Sequence, residues 1–233
     1  MRAMPNEPLY PHDPQLSAAL AGQVPLRVGD VLRSAWRVVP GAKRWVLLGM
    51  LAWLGTAVFA TIVGVALSLP EAIAASLSVI VTAPVTVALT MYGVRRVAGI
   101  ATDREALLSY RPTIAHAVIV LLFASLVITV SEALLGPTLG TSVALLYGLL
   151  TGQAVFLVAD RRVDAFTAIG WSVRASLPVL FTLLLIQLTI AGAVALGALA
   201  LGIGLIWAAP FALLALGAVS YQLFGTRATP HDA

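Results

Sequence analysis

Long apolar runs alternate with short polar stretches along this chain. A bilayer core of about 30 Å takes about 20 apolar residues at 1.5 Å rise, because each unpaired backbone group in hydrocarbon costs several kcal/mol. Six windows meet that length: residues 45–69, 73–94, 113–135, 139–159, 177–200 and 203–224. Pro70 and Glu71 divide the first pair, Gly136 and Pro137 the second, and Gly202 and Gly204 the third. The punctuation predicts three tight helical hairpins. The last division is free to slide, since residues 190–224 are apolar throughout. Buried core helices of a large soluble protein would need polar outer faces that these windows lack.

The flanks follow a different pattern. Over residues 28–39, Val28, Val31, Leu32, Ala35, Val38 and Val39 recur at helical spacing, with Asp30, Arg33, Ser34 and Arg37 on the other side. This predicts an amphipathic helix at the membrane interface, with Trp36 and Trp45 at headgroup level. Residues 164–175 repeat the theme, with Phe166, Ile169 and Val173 on one face ahead of Pro178. A shift of 135 positions pairs Val28 with Val163, Trp36 with Trp171, Val38 with Val173 and Leu48 with Leu183, a faint echo of a parallel repeat. Residues 1–27 are rich in proline and lack an apolar core. They are expected to form a flexible cytoplasmic tail, neither signal peptide nor packed element, so that the first span acts as an uncleaved signal-anchor; residues 227–233 form the other tail.

Composition agrees with the pattern. The 233 residues are 60% hydrophobic and 10% charged, against about half and about a quarter in soluble domains. A water-soluble globule is excluded on that ground. Charge then supplies an orientation. Six Lys and Arg precede the first span, four lie between spans two and three, three between four and five, and one follows the sixth. That is the whole inventory, and the opposite face has none. Cytoplasmic loops retain Lys and Arg, so both termini are expected in the cytoplasm of a bacterial inner-membrane protein. A net charge of +4 does not imply nucleic acid here, because the cations border apolar spans and no binding module accompanies them. Anionic lipid headgroups are the expected partners, with Arg33, Arg37, Lys43, Arg44, Arg95, Arg96, Arg161 and Arg162 as contacts, each worth about 1 kcal/mol near the surface.

Polar groups inside the spans are few, and each has two readings. Glu132 and His116 are ionisable groups placed for function, or boundary residues one turn from the interface. Gln153 and Gln187 lie deeper, as packing groups joined across helices or as part of a solute path. Gly148 and Gly152 form a GxxxG expected to pack a neighbouring helix or a second subunit. Pro84 and Pro210 are expected to kink spans two and six. Asp160 and Asp164 could hold a cation with lipid phosphate, or cap the following helix beside Arg161 and Arg162. With no cysteine and no HExxH, GxSxG, Walker, GxGxxG or EF-hand pattern, no catalytic residue, metal ligand or cofactor is assigned.

Three stretches carry a family resemblance. They are Ala83-Pro84 through Met91-Tyr92-Gly93-Val94-Arg95-Arg96 to Gly99; Phe156-Leu157-Val158-Ala159-Asp160-Arg161-Arg162 continuing through Asp164, Ala165, Ala168, Trp171 and Ser172; and Gly202-Ile203-Gly204 followed by Pro210 and Tyr221. Across residues 28–224 the chain resembles the YciC-like group of bacterial multi-pass inner-membrane proteins, related to the membrane domain of some glycerophosphodiester phosphodiesterases. The resemblance implies a six-helix membrane module of undefined biochemical activity, and these residues are not expected to form the catalytic domain of the fused relatives. The expected architecture is therefore an all-α integral membrane bundle of six transmembrane helices in three hairpins, with cytoplasmic interfacial amphipathic helices. The expected role is non-enzymatic contact with lipids, a membrane-protein partner or a second copy in envelope maintenance. A small transporter or channel for a weakly polar solute is the alternative. A lipid-modifying enzyme stands behind both.

Overall fold

The computed structural model describes residues 13–102, 109–199 and 202–227, all of it helix and connecting turn. Residues 1–12 of the expected tail, Arg104 and residues 228–233 lie outside the described residues. The helices are α1 (Pro14–Leu20), α2 (Val28–Ala66), α3 (Glu71–Val97), α4 (Ile114–Thr151), α5 (Ala154–Arg161), α6 (Ala165–Ser176), α7 (Leu180–Leu199) and α8 (Leu205–Phe224). Five stretches are long and apolar enough to cross a membrane: Val28–Ala66, Glu71–Val97, Arg111–Arg161, Ala165–Leu199 and Leu205–Phe224. A multi-pass helical membrane protein fits this architecture.

The interfacial helix expected at residues 28–39 is instead the first third of α2, a continuous 39-residue helix. At 1.5 Å per residue it is roughly 58 Å long, about twice the hydrocarbon thickness. Pro40 withholds one N–H from the helical ladder, and the helix continues on both sides of it. Protein covers the apolar face: Val31, Ala35, Val39, Ala42 and Val46 form one fully buried stripe. Both α3 and α8 pack on α2. The Trp36 ring meets Phe211 edge-on at 5.7 Å, and the Lys43 ammonium lies 4.0 Å above the Trp207 ring. The rising numbers on α2 against falling numbers on α8 make the two helices antiparallel.

That contact sets the start of α8 beside Lys43, just ahead of the apolar run that begins at Trp45. The last helix is apolar all round largely because protein surrounds it, with α1, α2, α3 and α7 all packed against it. Many apolar residues of α2 beyond Trp45 and of α4 and α7 point outward instead, among them Leu51, Phe59, Leu134, Phe181 and Leu199.

The middle of α4 contains a chain reversal. Gly136 has φ 76° and ψ 172°, a combination essentially confined to glycine. Across it the Ser131 hydroxyl donates to the Gly140 carbonyl at 3.3 Å, and the Phe123 and Tyr147 rings stand 6.3 Å apart. In a straight helix those rings would be about 36 Å apart. The Gly136-Pro137 signal in the sequence thus marks a helical hairpin. Gly202, at φ 77°, turns the chain between α7 and α8, where Gly197 and Gly204 meet backbone to backbone.

The expected tail also needs correcting. Asp13 caps α1 by accepting the N–H groups of Gln15 and Leu16, and Leu16 and Ala19 are buried against the bundle. Two buried apolar side chains, a cap and the Asp13–Arg161 ion pair dock these two turns, a signal that the surrounding prolines obscure. The short helix α6 follows its pattern only in part. Its large apolar residue Phe166 is exposed, while Ala165, Ala168, Ser172 and Ala175 face the protein. Shifted by 135 positions, those buried residues fall on Asp30, Arg33, Arg37 and Pro40, all exposed on α2. The echo between the two segments therefore does not extend to which face is buried.

Candidate functional site

Three features at the basic end and just inside it carry the polar chemistry. The first is an ion cluster around α5, whose eight residues are all buried. The Arg161 guanidinium pairs with the carboxylates of Asp13 and Asp160 and donates to the Phe224 carbonyl. Asp160 accepts from the Thr226 hydroxyl at 2.7 Å and from the Arg227 N–H at 3.2 Å. Asp13 is held below its ordinary range: burial pushes it upward, but the Leu16 N–H and the Arg161 charge outweigh that. Arg161 was expected at lipid headgroups; with 2% exposure it ties α1, α5 and the end of α8 together instead. The reading of Asp164 as a cap stands. It accepts from the Phe166 and Thr167 N–H groups at 3.1 and 3.0 Å, and the Thr167 bonds lead the causes that hold its carboxyl low.

Arg95 is likewise internal. Its side chain donates twice to the Ala101 carbonyl, at 3.0 and 2.8 Å, and once to the Tyr110 hydroxyl at 3.5 Å. It thereby fixes both ends of the connection between α3 and α4. Arg96 is half-buried, with its guanidinium beside the backbone of Gly41. Lys43 engages Trp207 through its ring face. Arg33, Arg37, Arg44 and Arg162 are the expected headgroup contacts that lie exposed, Arg33 beside Asp30 at 3.8 Å.

The second feature is a cleft of about 160 Å³ among α3, α4, α7 and α8 that both Gln153 and Gln187 line. Gln153 opens α5, where α4 ends at Gly152. Its N–H donates to the Ser172 hydroxyl at 3.2 Å, Ser172 donates to the Leu150 carbonyl at 2.8 Å, and the Ser220 hydroxyl donates to the Gln153 side-chain oxygen. Both serines are buried. Sequence reasoning gave them no polar role, although Ser172 stands in the stretch that carries the family resemblance. Gly148 and Gly152 line this cleft, and no atom stands within 4 Å of a Cβ built on Gly148. The GxxxG therefore opens space here and does not seat a neighbouring helix within the chain. The close glycine crossing lies elsewhere: a Cβ on Gly217 would come within 2.6 Å of the Gly93 backbone, joining α8 to α3. Glu132, by the Gly136 turn, and His116, early in α4, are exposed and distant in sequence from both clusters.

The third feature is a groove of about 860 Å³ between α2, α3 and the start of α4. Trp45, Leu48, Pro84, Ala88 and Leu89 form its apolar walls, and Thr102, Tyr110 and Arg111 form its polar end. Burial pushes the Tyr110 hydroxyl above the ordinary tyrosine range, against the opposing pull of Arg95, so it keeps its proton. Among the described residues no group of three or more His, Cys, Asp or Glu side chains is placed to hold a metal.

Comparison with known proteins finds no matching family model, no matching curated protein and no matching solved structure.

Proposed function

We propose that this chain is a non-enzymatic multi-pass protein of a bacterial inner membrane that contacts anionic lipids and a membrane partner, or a second copy of itself, in envelope maintenance, in the manner the YciC-like resemblance suggests. The supporting observation is sidedness. A belt of exposed apolar side chains covers α2 beyond Trp45, α4 and α7, and Arg33, Arg37, Arg44 and Arg162 stand exposed in the segments that precede or follow it. In this reading six crossings form three hairpins, both termini are cytoplasmic, and the α7–α8 pair is set toward the basic end. Vesicle flotation tests the lipid contact: neutralising Arg33, Arg37, Arg44 and Arg162 together lowers association with anionic vesicles and leaves neutral vesicles unaffected. Equal association with both, before and after neutralisation, contradicts it.

One observation favours a second reading. The cleft shared by Gln153 and Gln187 offers hydrogen-bonding groups inside an otherwise apolar bundle, which is what passage of a weakly polar solute requires. In proteoliposomes, solute flux that Gln187→Leu abolishes would favour transport, and flux indistinguishable from protein-free vesicles would favour the first reading.

A further inference from the structure

The groove between α2, α3 and the start of α4 has an end-to-end asymmetry that matches one class of molecule. Its walls are aliphatic and aromatic, and its volume of about 860 Å³ lies toward the upper end of the usual range for small-ligand pockets. Its polar end gathers Thr102, Tyr110 and the exposed Arg111. Arg95 braces that end from inside by holding Ala101 and Tyr110. The Tyr110 oxygen already accepts from Arg95, which leaves its proton to be donated toward the groove. Among the described residues the ion pairs engage Arg33 and Arg161, not Arg111. Trp45 at the rim suits headgroup depth. An apolar trough closed at one end by a guanidinium and a phenol complements an acyl chain carrying an anionic phosphate.

We propose that this groove is a specific site for one anionic glycerophospholipid, its phosphate held by Arg111 with Tyr110 and one acyl chain lying against Leu48, Ala88 and Leu89. The site rests on the membrane reading above and adds to it a single stoichiometric lipid, distinct from diffuse headgroup attraction.

Photocrosslinking in reconstituted bilayers tests it. The full chain is placed in phosphatidylcholine bilayers doped with phosphatidylglycerol, or with diacylglycerol, which has no phosphate, bearing a diazirine on one acyl chain, and adducts are mapped by peptide mass spectrometry. Phosphatidylglycerol adducts should concentrate on residues 45–49 and 84–92. Loss of one charge-assisted contact to phosphate in Arg111→Gln should reduce them roughly tenfold, with diacylglycerol adducts little changed. Ala88→Trp, which fills the trough, should remove both. Wild-type adducts spread along the whole apolar belt, or an unchanged ratio of the two lipids in Arg111→Gln, would overturn the site while leaving the membrane reading intact. A chain that never enters the bilayer would overturn both.

Discussion

Arg161 shows how much a single buried charge can organise. Its guanidinium neutralises the adjacent Asp160 and the distant Asp13 and satisfies the last carbonyl of α8. Removing one member of such a cluster leaves the others buried without compensation, so Arg161→Ala is expected to cost about 3–5 kcal/mol. Thermal unfolding in detergent measures that loss, with Arg162→Ala, on an exposed neighbour, as the unaffected control. Acid acts on the same cluster through Asp13. Its carboxyl is held below the ordinary value of 3.8, so its stabilising contribution is complete above that pH and is lost as pH falls through the lower folded value. The protection of residues 14–20 against hydrogen exchange, measured relative to the intrinsic rate at each pH, should therefore fall as pH drops below about 3.8, and protection already lost near neutrality would contradict the pairing. The sequence shows Arg161 as one more cation beside a span. Nothing in it distinguishes an arginine reaching for headgroups from one reaching for an aspartate 148 residues away.

At the scale of elements, apolar length and glycine punctuation were legible and packing partners were not. The windows at residues 113–135 and 139–159 flank the Gly136 reversal as expected, because only a residue without Cβ adopts that backbone. Gly136→Ala should cost about 1–3 kcal/mol, read as a lowered unfolding temperature, while Gly148→Ala, where a Cβ meets open space, should be nearly neutral. The GxxxG spacing indicated where small residues recur. It could not say that the tight crossing joins Gly93 to Gly217, since each of these stands alone in its own helix. Gly217→Val is expected to separate α3 from α8 and to destabilise the protein by about 1–3 kcal/mol; an unchanged unfolding temperature would contradict that crossing. The first third of α2 was legible as amphipathic but misplaced, because periodicity reports an apolar face and not whether lipid or a neighbouring helix covers it. Here neighbouring helices cover it, α3 and α8 both packing on α2, with Trp36 against Phe211 and Lys43 against Trp207 marking where α8 lies.

For the whole molecule, the physical division is between a tightly packed basic end and outward-facing apolar arms. The packed end holds the ion cluster, the polar side chains of Ser172, Gln153 and Ser220, and the N-terminal helix. The arms expose Leu51, Phe59, Leu134, Phe181 and Leu199, which in water would be an aggregation surface and in hydrocarbon is at rest. Composition and the one-sided distribution of cations announced that solvent from the sequence alone. The groove and the cleft were invisible there, since both are spaces between helices distant along the chain. The chain contains no cysteine, so single substitutions provide clean probes of sidedness. Labelling intact cells with a membrane-impermeant maleimide at Ser68→Cys, Thr138→Cys and Arg33→Cys measures it directly. Ser68→Cys and Thr138→Cys should react from outside and Arg33→Cys only after permeabilisation; external labelling of Arg33→Cys, or recovery of the chain in the aqueous fraction, would contradict the account.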